Sequence, residues 1–320
     1  MTTIIDRIER ELGLPGLAAL LAERLEPTDM QSLLLDVYRR LVRRRPTAAL
    51  LADYARNRFV HPAAIAPRQY IEWERVALSN LPDGFEAIEL SPVCPLGASA
   101  AMGGLEQDRV VTTIRNTEVI SDATNVMALE TAVRRRTIKQ SNPRSAAPVH
   151  LAASHRLLRA QHYDNPRLSA HFRIFSLTSG GRDRGGLQFE TDALELHIGF
   201  YLSAIRAYLG SVAMLDVSLT PLDETSESVS EIEQLVDRLR DRFDVEAVID
   251  TTRTVGRGYY RTACFWIYAS RANGEKSQLC DGGFVDWTQR LLSDAKERLL
   301  VSGVGSDRVC TLLAEGASRE

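Results

Sequence analysis

Residues 299–309 read LLVSGVGSDRV, and the interpretation of the whole chain starts from this stretch. Its leading apolar residues predict the end of a β-strand, and a helix is expected to open at Ser306, after Gly303 and Gly305. The free N–H groups at the start of a helix favour anions, and glycines let a ligand approach them closely. Arg308 adds a guanidinium that stays ionised and binds phosphate oxygens in pairs. The stretch therefore predicts a phosphate site at a strand-to-helix turn.

Two other arginines strengthen this prediction. Residues 157–172 read LLRAQHYDNPRLSAHF and contain Arg159 and Arg167. Either of them alone is more typical of a solvated or salt-bridged surface residue. A nucleotide tail carries several negative charges, however, and three arginines in such contexts together predict a triphosphate site.

In their order along the chain, these segments resemble the catalytic core of class II aminoacyl-tRNA synthetases, most closely the histidyl branch and its paralogues. The resemblance covers about residues 66–316. It begins at residues 66–95, which are similar to the family's opening helix and first class motif, with Pro92 as the motif's closing proline. The resemblance implies an α+β fold with an antiparallel sheet flanked by helices. It also implies a homodimer, because the first motif usually builds a two-fold interface.

The second class motif implies several nucleotide contacts. Arg159 falls on the arginine that contacts the α-phosphate, and Arg167 matches a loop arginine near the terminal phosphates. Gln161 replaces the family's usual glutamate, and Phe172 stands one residue beyond the position that the family's spacing gives.

The third class motif is GVGSDR at residues 303–308, where the family has Gly-x-Gly-x-Glu-Arg. Asp307 stands on the glutamate, and Arg308 stands on the arginine that clamps the γ-phosphate. The resemblance implies ATP and Mg²⁺ as cofactors.

Residues 112–135 resemble the family's Arg-Pro-Glu-x-Thr segment and the helix after it. Asp122 and Thr124 stand on the Glu and Thr positions that hold the amino group of the substrate, whereas Ile120 and Ser121 replace the arginine and proline. An equally good interpretation of Asp122 is an N-cap of the following helix.

Residues 256–269 and 279–287 resemble two segments specific to the histidyl branch. Tyr259 and Tyr260 keep the register and are implied to shape the amino-acid pocket. Arg257 is the nearest counterpart of a catalytic arginine, two residues before Tyr259 where the family has four, and Phe284 replaces another arginine. Since Phe284 and Ile120 put apolar side chains where the family has arginines, a larger or aromatic amino acid is a hypothesis for the substrate.

The chain is expected to divide into an N-terminal helical unit, residues 1–65, and the synthetase-like core, residues 66–320. Ile4, Ile5 and Ile8 begin the helical periodicity of the first unit. In the core, helical periodicity covers 193–209 and 228–242, and β-branched and aromatic runs predict strands at 110–114, 171–177 and 262–268.

Two basic runs need a separate interpretation. Five arginines lie within residues 39–45 and three more occupy 134–136. Either run could contact RNA or an acidic partner, but such runs are usually solvated helix faces, and this is the interpretation that we favour.

Composition excludes several other classes of protein. With 320 residues and a net charge of −3, the chain has no bulk affinity for nucleic acid. It shows neither a signal peptide nor an apolar stretch of about 18 residues, so a cytoplasmic protein without membrane contacts is expected. The four cysteines form no CxxC pair and the spacings of His155, His162 and His171 fit no ligand face, so no metal site is predicted.

Two functions remain open. The first is an adenylate-forming ligase, which activates an amino acid with ATP through an aminoacyl adenylate and passes it to a small amine, a carrier protein or an RNA. Only a short tail follows Arg308, where histidyl-tRNA synthetases carry an anticodon-binding domain, so housekeeping tRNA charging is not expected. The second is an amino-acid sensor that regulates a partner enzyme, resembling the regulatory subunit of ATP phosphoribosyltransferase.

Overall fold

The computed structural model describes residues 3–161, 169–210, 213–223, 225–271 and 274–317. The helices of this part of the chain are α1 (Ile4–Leu12), α2 (Leu17–Arg24), α3 (Pro27–Arg43), α4 (Thr47–Arg56), α5 (Pro67–Ser79), α6 (Ala98–Gly103), α7 (Ala123–Ser141), α8 (Gln188–Leu209), α9 (Ser226–Phe243), α10 (Trp287–Leu292) and α11 (Ser306–Ala317). The strands are β1 (Phe85–Ala87), β2 (Val93–Pro95), β3 (Thr117–Val119), β4 (Val149–Leu158), β5 (His171–Arg182), β6 (Met214–Pro221), β7 (Glu246–Ile249), β8 (Arg261–Ser270), β9 (Lys276–Val285) and β10 (Glu297–Gly305).

Eight of these strands form one sheet in the order β1-β4-β5-β10-β9-β8-β6-β7. The six central strands pair antiparallel, while β1 and β7 pair in parallel with the two outer members of that set. This architecture confirms the α+β fold with a mostly antiparallel sheet and flanking helices.

The side chains of β9 show how the sheet separates its two faces. Cys280 and Phe284 point into the core that helix α8 covers, whereas Val285 packs with Tyr260 on the opposite face. Because alternate residues of a strand face opposite sides, Asp281 and Gly283 lie on the same face as Tyr260. One face of the sheet is therefore a packed core, and the other face lies towards α7 and the loop of residues 251–260, which carries Tyr259 and Tyr260.

The helical predictions hold in the core, where α8 and α9 include the predicted ranges 193–209 and 228–242. The strand predicted at 110–114 is wrong, since this segment makes only an isolated bridge from Thr112 to Glu118. Its neighbour β3 has three residues, and the buried Glu118 carboxylate accepts the backbone N–H groups of Gly97 and Ser99. Backbone hydrogen bonds from Thr113 to Thr117 and from Val119 to Val111 flank the bridge, so the segment turns back on β3 without forming a strand ladder.

Helices α1 to α4 confirm an N-terminal helical segment, and none of their residues is buried. Contacts to the core include the 3.3 Å hydrogen bond from Asn116 to the Pro27 carbonyl and the 2.6 Å contact between His171 Nε2 and the His61 carbonyl oxygen. The division at residue 65 stays a prediction. Among the described helices, none is long and apolar enough to cross a membrane.

A chain of buried polar groups crosses the core side of the sheet. Ser179 Oγ lies 2.6 Å from His150 Nδ1 and 2.8 Å from His197 Nε2, and His197 Nδ1 lies 2.7 Å from Ser302 Oγ. Tyr201 completes the chain with its hydroxyl 2.9 Å from Ser302 Oγ. Burial lowers the pKa of His197 well below its usual value and also lowers the pKa of His150.

We expect these histidines to make the protein acid-sensitive. Since their folded-state pKa values lie below the unfolded value of 6.5, the unfolded chain binds more protons below pH 6.5, and stability is lost as the pH falls from there. Urea unfolding should show a free energy of unfolding lower at pH 5 than at pH 7 by about 1 to 3 kcal/mol, because each histidine contributes up to about 1.4 kcal/mol per pH unit. Exchanging the exposed His61 for glutamine should leave this slope unchanged, and a flat profile would contradict the assignment.

Candidate nucleotide and amino-acid site

Arg159 directly follows β4 at the edge of the sheet where β5 begins. Its Nε donates to the Ser121 carbonyl at 3.0 Å, and its Nη2 lies 3.7 Å from a carboxylate oxygen of Asp122. The guanidinium carbon stands 5.2 Å from the ring centroid of Phe172, which is within the range of a cation–π contact. Two residues predicted for the nucleotide, Arg159 and Phe172, are therefore in contact.

Asp122 serves as the N-cap of α7, which confirms the capping interpretation. Its Oδ1 accepts from the Thr124 backbone N–H at 2.9 Å and from the Thr124 hydroxyl at 2.8 Å. The side chain is nevertheless 31% exposed and lies beside Arg159, so capping leaves a carboxylate at the site. The amino-group role of Asp122 and Thr124 stays a prediction.

The two predicted tyrosines lie where the 251–260 loop enters β8. Their rings meet edge to face with centroids 4.8 Å apart, and Tyr259 also packs on Trp287 at 5.8 Å. Burial raises the pKa of both phenols, and the charge of Asp122 raises both further. The phenols are therefore neutral groups close to Asp122 at any physiological pH.

Arg308 lies in the first turn of α11, as the strand-to-helix prediction requires. Its exposed side chain donates to the Gln278 carbonyl at 2.8 Å, and it has no carboxylate partner among the described residues. Asp307 accepts the backbone N–H of Arg173 at 2.9 Å, which ties α11 to β5. Since β10 and β4 both end at this edge of the sheet, Arg308 and Arg159 belong to the same edge.

The loop after β4, which resembles the second class motif, lies only in part within the described residues. The Gln161 carbonyl accepts a hydrogen bond from Arg58, so the backbone of this residue contacts the segment after α4. Arg167 lies outside the described residues, and its nucleotide contact stays a prediction.

Arg257 is exposed and binds the backbone of its own loop. Its Nε donates to the Arg253 carbonyl at 2.8 Å, and its Nη2 lies 3.3 Å from the Thr251 carbonyl oxygen. The arginine that enters the interior is Arg253, which pairs with Asp281 at 3.0 Å. Sequence reasoning missed both residues of this pair, and the only sequence signal was Asp281 standing beside the matched glycines at 282 and 283. The catalytic role of Arg257 stays a prediction.

The apolar replacements do not line the site. Phe284 is 2% exposed and packs on Phe189 on the core side of the sheet, and Ile120 is buried in a second apolar cluster. Both side chains therefore add apolar surface to the cores and not to a substrate pocket. The structure thus removes the reason for expecting a larger or aromatic amino acid.

The sequence analysis predicted no metal site, and this stays a prediction. Among the described residues, no group of three or more His, Cys, Asp or Glu side chains could hold a metal ion. The four cysteines are buried free thiols, and burial raises the pKa of each of them, which keeps the thiols protonated.

The antiparallel sheet, with arginines following β4 and opening α11, defines a class II synthetase-like core. No protein-family model and no curated protein matches the sequence. Among solved structures, the chain is similar to apo histidyl-tRNA synthetase of Staphylococcus aureus, with a TM-score of 0.60 at 12% identity over 80% of this chain and 73% of that one.

Two further structures show the same likeness. One is an ATP phosphoribosyltransferase regulatory subunit/histidyl-tRNA synthetase from Bacillus halodurans, with a TM-score of 0.59 at 12% identity over 79% of this chain and 82% of that one. The other is histidyl-tRNA synthetase from Nostoc, with a TM-score of 0.59 at 12% identity over 82% of this chain and 75% of that one. At this identity the likeness shows the fold.

Proposed function

We propose that the protein is an adenylate-forming ligase that activates an amino acid with ATP. The observation that carries this proposal is the cluster at one edge of the sheet, where Arg159 contacts Phe172 and Asp122 while Arg308 stands without a carboxylate partner among the described residues. Two guanidinium groups at this edge suit the phosphates of a nucleotide, because Arg308 has no carboxylate partner among the described residues and Arg159 pairs with Asp122 only at 3.7 Å. The face of the Phe172 ring that Arg159 does not cover would be left for a base.

The proposed reaction is an in-line displacement at the α-phosphorus. A carboxylate oxygen of the amino acid forms the new P–O bond, and the bond to the bridging oxygen breaks, so that pyrophosphate leaves with its electron pair. Arg159 would stabilise the charge that develops on the α-phosphate, and Arg308 and Arg167 would hold the departing pyrophosphate. Asp122 would bind the ammonium group, and the tyrosine pair would border the side-chain pocket.

Mg²⁺ supplies charge neutralisation when it accompanies ATP. The nucleotide phosphates would carry the ion, and Arg159, Arg167 and Arg308 would share in neutralising the phosphate charge. The activated amino acid would pass to a small amine, a carrier protein or a non-housekeeping RNA in the cytoplasm. Homodimer formation through residues 66–95 belongs to the same proposal, and sedimentation as a monomer would contradict it.

ATP–pyrophosphate exchange with each amino acid in turn tests the proposal. We expect exchange with one amino acid, and a loss of about 100-fold or more in Arg308→Ala, because a preorganised donor is removed from the leaving group. Arg7→Ala is the matched control, since Arg7 is exposed on α1 and pairs with Glu11 of the same helix. Folded protein that shows no exchange with any amino acid would contradict the proposal of an adenylate-forming ligase.

A second candidate is an amino-acid sensor that regulates a partner enzyme. The observation in its favour is that Phe284, at one of the family's arginine positions, lies in the core, and that Arg257, the nearest counterpart of another, hydrogen-bonds to backbone carbonyls of its own loop. A sensor would bind its amino acid without ATP and would show no exchange, and Arg308→Ala would leave that binding unchanged.

A further inference from the structure

A carboxylate that the activation chemistry does not use lies on the floor of the candidate site. Asp281 stands in β9 directly opposite Gly303 of β10 and Trp266 of β8. Its side chain is 41% exposed, although burial raises its pKa above the usual value. The carboxylate is thus open to solvent on the face of the sheet that also carries Tyr260, where a ligand group would meet it.

Arg253 holds this carboxylate in place from the protein side. Its Nη2 donates to Asp281 at 3.0 Å, and its Nε donates to the Val255 carbonyl at 2.8 Å. The guanidinium carbon lies 3.8 Å from the ring centroid of Trp266, and the side chain is only 1% exposed. A planar guanidinium held by two hydrogen bonds and an aromatic ring has little freedom to turn. A ligand therefore meets Asp281 and not Arg253.

The charges of the pair restrict what that ligand group is. An added cation gains little, because the positive charge of Arg253 already lies within 3.0 Å of the Asp281 carboxylate. An anion is repelled by Asp281, and an apolar group would strip water from the carboxylate and leave it without a new partner. A neutral N–H or O–H group instead replaces the lost water with a hydrogen bond.

The tyrosines relate this carboxylate to the predicted amino-group site. Arg253, which is paired with Asp281, lies 5.7 Å from the Tyr260 ring centroid, and Tyr260 packs with Ala128 of α7, the helix that Asp122 caps. Both carboxylates also raise the pKa of Tyr259 and of Tyr260, in agreement with this placement. We propose that Asp281 recognises the side chain of the bound amino acid, and that this side chain ends in a neutral hydrogen-bond donor such as a carboxamide, a hydroxyl or an imidazole. This inference rests on the proposed function, in which Asp122 binds the ammonium group and the side chain extends towards β9.

Calorimetric titration of amino acids without ATP tests the inference. The panel contains near-isosteric pairs, namely glutamine and methionine, asparagine and leucine, tyrosine and phenylalanine, and threonine and valine, together with histidine, lysine and arginine. We expect the tightest ligand to carry a neutral donor and its apolar counterpart to bind at least about 100-fold more weakly, since a site built around a hydrogen bond rejects analogues that lack it. For histidine the comparison is phenylalanine.

In Asp281→Ala, the dissociation constants of the two amino acids in each pair should differ by no more than about 10-fold, because the group that discriminates between them is gone. Asp237→Ala is the matched control, since Asp237 is 72% exposed on α9 and pairs with Arg240. The inference is overturned if the tightest ligand is apolar or cationic, if no amino acid binds, or if Asp281→Ala leaves the discrimination intact.

Arg253 is assigned as a positioning residue, and pH separates that role from a purely structural one. In Arg253→Gln, Asp281 loses the cation that favours its ionised form, so the acid limb of ligand binding should move to higher pH. Arg253→Lys should restore the limb in part, whereas a structural role would weaken binding equally at every pH. If an amino acid binds in a way that depends on Asp281 but no ATP–pyrophosphate exchange is found, the ligase is rejected while recognition of the side chain by Asp281 stands. The failure of the proposed function can thus be told apart from the failure of this inference.

Discussion

Arg159→Ala is expected to lower ATP–pyrophosphate exchange by a factor of about 10² to 10³, which is the usual cost of removing one preorganised donor from a developing charge. Arg159 is held by the Ser121 carbonyl at 3.0 Å and lies over Phe172 at 5.2 Å, so its fork has a defined direction before any ligand binds. The loss should appear mainly in the maximal rate and less in the affinity for ATP, because the charge on the α-phosphate grows in the transition state.

Two variants make this expectation specific. Arg159→Lys keeps the charge but loses the bidentate fork, and it should recover only a small part of the exchange. Arg7→Ala changes an exposed arginine of α1 and should leave exchange unaltered. Exchange by Arg159→Ala at the wild-type rate would remove Arg159 from the reaction and, with it, the main support for the ligase.

Arg135→Ala is expected to cost about 3 to 5 kcal/mol of stability, because it removes both guanidinium hydrogen bonds from the buried Glu297 carboxylate and leaves it with Lys139 at 3.5 Å. Arg135 and Glu297 are both fully buried, and two hydrogen bonds of 2.9 and 3.0 Å join them. The same guanidinium also donates to the Ala147 carbonyl at 2.5 Å and to the Ser145 carbonyl at 3.2 Å. The free energy of unfolding in urea measures the loss.

The neighbouring arginine provides the control. Arg134 is 30% exposed and pairs with Glu86 and Glu130 at the surface, so Arg134→Ala should cost no more than about 1 kcal/mol. Replacing both buried partners, as Arg135→Met with Glu297→Leu, should recover part of the loss, because no uncompensated charge remains. Equal costs for Arg134→Ala and Arg135→Ala would contradict the assignment of Arg135 as a buried partner.

The arginine run at 134–136 shows the limit of sequence reasoning. The three residues are identical in type and adjacent, and the solvated face that we favoured for the run is wrong for Arg135. Nothing local distinguishes Arg135 from its neighbours, since its partner Glu297 lies 162 residues further along the chain. Which arginine is buried depends on how α7 meets the start of β10.

The candidate site shows the same division. Arg159 and Arg308 could be placed from the sequence, because a glycine-rich turn and a strand end are local patterns and both residues lie at strand ends in the structure. Arg253 could not be placed, because Arg257 stands in the same loop and is closer to the matched tyrosines. Only the packing of the loop against Trp266 shows that Arg253 is the one that enters the interior.

The sequence by itself indicated the helices at 193–209 and 228–242 and the strands at 171–177 and 262–268, because periodicity is a property of short segments, and the motif arginines were placed by resemblance to the class II family. The tertiary structure decided the surroundings of each side chain, including the burial of Phe284 and Ile120 in the cores and the pairing of Arg253 with Asp281. The physical reason is that burial and charge pairing arise between strands and loops far apart in the chain, so no local pattern contains them.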